Sequence, residues 1–182
     1  VSDKGVPAAL FMAKTVTLYT SALSEGLAPG EILARMNRSL SANNDACMFV
    51  TALCGAIDLN TGRLTMANAG HMHPVQKTNA SSGELVVDGS IALGLMDDAA
   101  YPDAVFELAP GTSLLMYTDG ISEAFNSRKE AYEEDRLLDL VAKADDISAE
   151  SLGVSSLADV ENFVGTAEQS DDITLMVIHY GP

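Results

Sequence analysis

Tryptophan is absent from this 182-residue chain, and tyrosine and phenylalanine number five each. So few rings leave little material for the stacking platforms that hold single-stranded nucleic acid. Cations are scarce as well: ten Lys and Arg stand against 26 Asp and Glu, a formal net charge of −16. Phosphate backbones are gripped by clustered Lys and Arg, so both shortages argue against nucleic acid as a partner. The two cysteines, Cys47 and Cys54, have neither a zinc nor a redox spacing. A buried, reduced thiol at Cys54 and a cytoplasmic setting are therefore expected. No apolar run reaches the ~18 residues of a membrane span, and no leader peptide is visible.

What is present is a globular balance, 47% apolar and 20% charged residues, in a chain long enough to bury a sizeable core. Without a repeat or a linker, residues 1–182 are expected to form a single domain. The acidity reads first as a solvated surface, and second as a cleft that concentrates divalent cations. The opening Val1-Ser2-Asp3-Lys4-Gly5 has no initiator methionine, as expected of a segment of a longer protein.

Hydrophobic periodicity predicts a helix over residues 6–25, with Pro7 in its first turn and Met12, Val16, Tyr19 and Leu23 as its buried stripe. A second helix starts at Pro29 and carries Ile32, Leu33, Met36 and Leu40. Residues 51–59 and 63–69 form a hairpin about Asn60-Thr61-Gly62. Short strands are expected at 74–76 and 84–87, with 91–95 as a loop packed on the core. Residues 104–108 and 113–118 flank Pro110-Gly111 as a second hairpin. Helices follow over 130–144, with Leu137, Leu138 and Val141 inward, and over 156–164. Residues 173–180 close the chain as a continuous apolar strand of the kind buried on both faces. Helices first, antiparallel hairpins next and helices between late strands make an α+β protein.

Two strand ends carry the chemistry. Leu114 to Thr118 is an apolar run that stops at Asp119-Gly120, where a rigid strand end fixes a carboxylate and glycine lets the chain turn. Ser170-Asp171-Asp172 leads into the last strand. Were these strands antiparallel neighbours, Asp119 and Asp171 would meet at one sheet edge. A lone Asp-Gly is usually a turn and a lone Asp-Asp usually a solvated cap; their joint occurrence at two strand ends points to a metal site. Hard oxygen ligands without a His/Cys cluster favour Mg²⁺ or Mn²⁺ over Zn²⁺. His71, after Gly70 at a strand end, is the best candidate proton donor or phosphate contact; a lone histidine is more often structural, the reading given to His73 and His179. Ser2-Asp3-Lys4-Gly5 before a helix is a weak anion-binding signal.

Five stretches occur in order: residues 1–12 (Val-Ser-Asp-Lys-Gly-Val-Pro-Ala-Ala-Leu-Phe-Met), Asn68-Ala69-Gly70-His71, Ala92-Leu93-Gly94, residues 117–124 (Tyr-Thr-Asp-Gly-Ile-Ser-Glu-Ala) and Asp171-Asp172-Ile173-Thr174. Together they resemble the SpoIIE/RsbU-like branch of the bacterial metal-dependent (PPM, type 2C) serine/threonine phosphatases. The resemblance implies a β-sandwich flanked by helices, a two-metal Mn²⁺/Mg²⁺ centre with Asp119 and Asp171 as ligands, and hydrolysis of phosphoserine or phosphothreonine without a phosphoenzyme. Asp172 stands where relatives often carry Asn and is not assigned as a ligand. His71 stands where eukaryotic-type enzymes carry Asp, so no role is transferred to it. The family's Gly-Asp-Val-Ser motif would place the metal-bridging aspartate and the first strands before Val1, and would make the Val1 carbonyl a ligand. The segment is therefore expected to bind metal poorly and to be weakly active or inactive alone. The resemblance further implies a phosphorylated protein substrate, a STAS-type anti-anti-sigma factor of a partner-switching pathway, and an N-terminal sensor or receiver domain. A non-catalytic module that docks a signalling partner is the alternative; a metal-dependent nuclease is disfavoured by charge and aromatic content.

Overall fold

A computed structural model describes every residue except Asp3 and Pro182. In chain order its elements are α1 (Val6–Leu23), α2 (Pro29–Ser41), β1 (Ala52–Asp58), β2 (Arg63–Ala69), β3 (Val75–Lys77), β4 (Ser82–Glu84) and β5 (Gly89–Ser90). They continue with β6 (Ala104–Glu107), β7 (Thr112–Tyr117), the helical turn α3 (Asp119–Ser122), α4 (Glu134–Lys143), α5 (Ala149–Val164) and β8 (Leu175–Tyr180). The chain divides into two compact units, Val1–His71 with Val87–Glu107 and Met72–Val86 with Leu108–Pro182. Each combines helices with one sheet, the α+β class expected.

In the first unit β2 is central, antiparallel to β1 and β6 and parallel to the two-residue β5. The hairpin turn is where the sequence placed it, with Gly62 at φ 76°. Helix α2 buries Ile32, Leu33, Met36 and Leu40 as expected. The α1 stripe is corrected: Met12, Val16, Tyr19 and Leu23 are exposed, and the helix turns Phe11, Thr15 and Ala22 into the core, with Ala8 and Leu18 packed beside them. Residues 8, 11, 15, 18 and 22 repeat at the same helical spacing one position away, so periodicity alone could not choose between the stripes. Thr15 can be buried because its hydroxyl donates to the Phe11 carbonyl at 2.8 Å. By length and apolarity α1 could cross a membrane, a test that core helices also pass.

Asn37 is fully buried on α2. Its Oδ1 accepts from the Gly94 N–H at 2.8 Å and its Nδ2 donates to the Met96 carbonyl at 2.7 Å. These bonds fasten the 93–97 loop, whose Leu93 and Gly94 pack inward as expected. Asn37→Ala leaves the buried Gly94 N–H without its acceptor, while the Met96 carbonyl keeps the Ala99 N–H at 3.3 Å; it is expected to cost about 1–3 kcal/mol, read as a lower urea midpoint at unchanged slope.

In the second unit the sheet order is β4-β3-β7-β8, antiparallel throughout. The expected second hairpin is not formed: β6 pairs with β2, and β7 pairs with β3 and β8. The turn chemistry is genuine, since the Thr112 N–H donates to the Ala109 carbonyl at 3.1 Å, but the chain uses it to change sheets. The last strand is also corrected. Met176 and Ile178 are exposed, because β8 is an edge strand packed on one face only, against α5. The strand expected over 84–87 is corrected as well: β4 is Ser82–Glu84, largely inside what was expected to be a polar loop tip, and residues 85–87 lie outside any strand. Helix α5 starts earlier than its apolar pattern suggested, because Ser148 caps it by accepting from the Ser151 N–H at 3.3 Å.

Leu137, Val141, Leu152 and Val160 join Val75, Leu115, Tyr117 and Ile121 in the core of this unit. Leu138 is only partly buried. Helices α4 and α5 are tied by Arg136, whose Nε donates to Asp159 at 2.9 Å while its guanidinium lies over the Tyr132 and Phe163 rings. That guanidinium, with the Tyr132 hydroxyl, holds the Asp159 carboxyl below the usual carboxylate range against a smaller opposing effect of burial. A depressed carboxyl stabilises the fold above its unfolded pKa of about 3.9 and loses that contribution as pH falls through the folded value. Asp159→Asn should therefore cost about 0.5–1 kcal/mol at pH 7 in urea unfolding, and the gap should close below about pH 4.

Candidate metal centre

Strand β7 is buried along almost its whole length, which fixes its C-terminal end. Burial, reinforced by Glu134 and Glu84, pushes the Tyr117 hydroxyl well up, so this residue is a neutral anchor in the core. The next residue joins the two strand ends. Thr118 donates its N–H to the Thr174 carbonyl at 3.0 Å, and its hydroxyl accepts from the Thr174 N–H at 3.0 Å and donates to the Asp172 carbonyl at 3.3 Å. These bonds continue a ladder whose last registered pair is Tyr117 with Leu175.

Beyond Thr118 the chain coils at once into α3, with the Glu123 N–H donating to the Asp119 carbonyl at 2.8 Å. Gly120 makes the close approach possible: a Cβ there would lie 2.3 Å from the Asp172 carbonyl oxygen. Ser170 adds a bond from its hydroxyl to the Glu123 carbonyl at 3.0 Å. Asp119 thus opens α3 just past β7, and Asp171 lies in the irregular approach to β8, both exposed. The Asp171 carboxylate also accepts from the Asp172 N–H at 2.8 Å, which orients it.

Among the described residues no group of three or more His, Cys, Asp or Glu is poised to hold an ion. Carboxylates on two hydrogen-bonded segments nevertheless fit Mg²⁺ or Mn²⁺ chemically, because Mg²⁺ is commonly held by one or two carboxylates while water and substrate phosphate fill the other positions. Nothing in this pair suits a soft or imidazole-preferring ion.

His71 belongs to the first unit. Asn68, itself buried, brackets it: Oδ1 accepts from the His71 N–H at 2.7 Å and Nδ2 donates to its carbonyl at 2.9 Å. The ring's Nδ1 lies 3.3 Å from the Thr51 hydroxyl. His179 hydrogen-bonds Ser113 at 2.8 Å, in keeping with a structural role, and His73 is half-buried. At the other end of the chain Ser2 pairs with Phe49, its N–H on the Phe49 carbonyl at 2.8 Å and its hydroxyl accepting from the Phe49 N–H at 2.9 Å. Gly5, at φ 86°, leads into α1, while Asp3 of the expected anion-binding stretch lies outside the described residues. Two organising residues escaped the sequence reading, Thr118 and Asn68, and Gly120 was read as a turn rather than as the point of close approach to Asp172. Thr118 and Gly120 were in view as neighbours of Asp119, but the residues they bond to or approach, Thr174 and Asp172, lie about fifty residues away.

The family model for stage II sporulation protein E matches residues 1–181. Phosphoserine phosphatase RsbU of Bacillus subtilis is 31% identical over 126 residues, 68% of this chain and 37% of RsbU. The chain thus spans little more than a third of that relative. Among solved structures, the SiaA PP2C domain of Pseudomonas aeruginosa superposes with a TM-score of 0.80 at 22% identity, covering 98% of this chain and 72% of that one. The manganese-presoaked phosphatase domain of Bacillus subtilis SpoIIE gives 0.65 at 15% identity, covering 100% and 75%. At such identities the two structures establish the shared PP2C fold. The chain belongs to the SpoIIE family.

Proposed function

We propose that this segment is the phosphatase module of a larger signalling protein, hydrolysing phosphoserine or phosphothreonine on a protein substrate. The observation that carries the reading is the bonded closure of β7 on the approach to β8, which ties the segment after Asp171 to the residue before Asp119. Family membership and the RsbU relative support it. In this reading residues 1–182 act as a single functional domain, soluble and cytoplasmic.

Asp119 and Asp171 would hold Mn²⁺ or Mg²⁺ as ligands of a two-metal centre. Such ions supply a water of lowered pKa and positive charge for the phosphoryl oxygens, which suits a chain so poor in cations. The chain's own contribution is placement. Thr118 locks the two strand ends, Gly120 lets them approach, and the Asp172 N–H fixes the Asp171 carboxylate. His71, its backbone clamped by Asn68, is the proposed phosphate contact or proton donor. The substrate in this reading is a phosphorylated STAS-type anti-anti-sigma factor, with a sensor or receiver domain upstream in the same protein.

The test is phosphate release from a phosphoserine peptide and from p-nitrophenyl phosphate by the full-length protein carrying this segment, with Mn²⁺ and with EDTA. Turnover driven by Mn²⁺ and abolished by EDTA is expected. A folded protein inert with Mn²⁺ and Mg²⁺ on both substrates would leave the non-catalytic docking module as the better reading.

A further inference from the structure

Behind the aspartate edge, within the second unit, lies a cavity of about 240 Å³. Its walls are apolar, formed by Ala124, Phe125, Val160, Val164 and Ile173. Phe125 is 43% exposed there, so a large ring is left partly in water at the cavity. Small-molecule sites typically run to ≈ 300–1,000 Å³, so this one falls below that range and has room for an aliphatic side chain. Its rim carries Glu161 and Glu168 and no Lys or Arg. Gly120 and Ser170 line it too, and each is the chain neighbour of a candidate metal carboxylate, Asp119 and Asp171.

We infer that this cavity is a substrate-docking subsite, taking an aliphatic side chain of the phosphoprotein next to a Lys or Arg that meets the acidic rim. The inference rests on the phosphatase reading and deepens it: a segment whose phosphoserine reaches the aspartate edge passes the cavity mouth. Apolar burial supplies affinity, and the two glutamates select a cationic neighbour and reject an acidic one. The occupant is a protein segment, because the acidic rim repels free anions and the cavity is smaller than the usual small-molecule site.

The test is fluorescence anisotropy of the full-length protein, in EDTA, with a fluorescein-labelled Ser/Gly-rich peptide containing an adjacent Leu-Lys pair. One control peptide replaces the leucine by serine, and another replaces the lysine by glutamate. The Leu-Lys peptide is expected to bind on the order of tenfold more tightly than either control. Ala167→Leu, which fills the cavity from its wall, should erase the leucine preference. Glu168→Lys, on the exposed rim, should erase the lysine preference whether or not the first variant folds. Equal binding of the three peptides, or preferences that survive both variants, would overturn the inference. Hydrolysis of p-nitrophenyl phosphate with Mn²⁺ by the same unsubstituted preparation separates the two readings. Turnover without peptide preference sinks the subsite and keeps the phosphatase. Peptide preference without turnover supports the docking cavity and counts against the phosphatase.

Discussion

Gly120→Ala is expected to lower the melting temperature by about 2–12 °C and to abolish metal binding with it. The added Cβ would sit 2.3 Å from the Asp172 carbonyl oxygen and 2.9 Å from its carbon. Both are backbone atoms, so no side chain can swing aside. Either the 171–173 segment moves out or α3 unwinds, and each breaks the Thr118 bonds to Thr174 and Asp172. Overpacking of this kind costs about 1–3 kcal/mol, and each kcal/mol is about 2–4 °C in a protein of this size. Gly153→Ala is the control. It lies within α5, where the nearest atom to a new Cβ is Val177 Cγ2 at 3.8 Å. That substitution meets no clash and gains helix propensity, so a small rise in stability, about 0.5–1 kcal/mol, is expected. Circular dichroism melts of the two variants check the pair, and an unchanged midpoint for Gly120→Ala would show that the approach of the strand ends is not tight.

Asp119→Asn should have the opposite profile, with function lost and fold kept. Asp119 is exposed and asparagine has nearly its shape, so metal-free stability should stay within about 0.5 kcal/mol. Removing the charge takes away a hard anionic ligand, and Mn²⁺-dependent turnover should drop at least on the order of 10²-fold. Asp171→Asn should match it, and the double variant should lose little more, because ligands of one centre fail together. Linkage gives a readout free of turnover. An ion that binds only the folded state at 100 times its Kd adds about 2.7 kcal/mol of stability. Mn²⁺ should therefore raise the melting temperature of the unsubstituted protein and leave Asp119→Asn where it is.

Much of this was legible in the residues themselves. The α2 stripe and the first hairpin with its Gly62 turn follow from local pattern, whereas the antiparallel pairing of β7 with β8 entered only as the condition for Asp119 and Asp171 to meet. What failed was the choice among partners. On α1 two stripes of equal period compete, and only the α2 surface decides for Phe11 and Ala22 over Met12 and Val16. Pro110-Gly111 marks a turn but not which strand lies beside β7, since pairing with β3 and β8 is a long-range matter. The unbroken apolar run of β8 suggested two covered faces, whereas Met176 and Ile178 face water. At the centre the ligand types were readable, but the clamp was not, because Thr118 acts through Thr174 and Asp172, which only the fold brings to it.

The most direct measurement is Mn²⁺ binding by electron paramagnetic resonance on the full-length protein, since the six-line signal of free Mn²⁺ fades as the ion is taken up. The signal should fall on addition of the unsubstituted protein and recover with EDTA, and Asp119→Asn and Asp171→Asn should each leave it undiminished. Equal uptake by both variants would mean that these aspartates hold no ion and that the strand-end centre is wrongly placed.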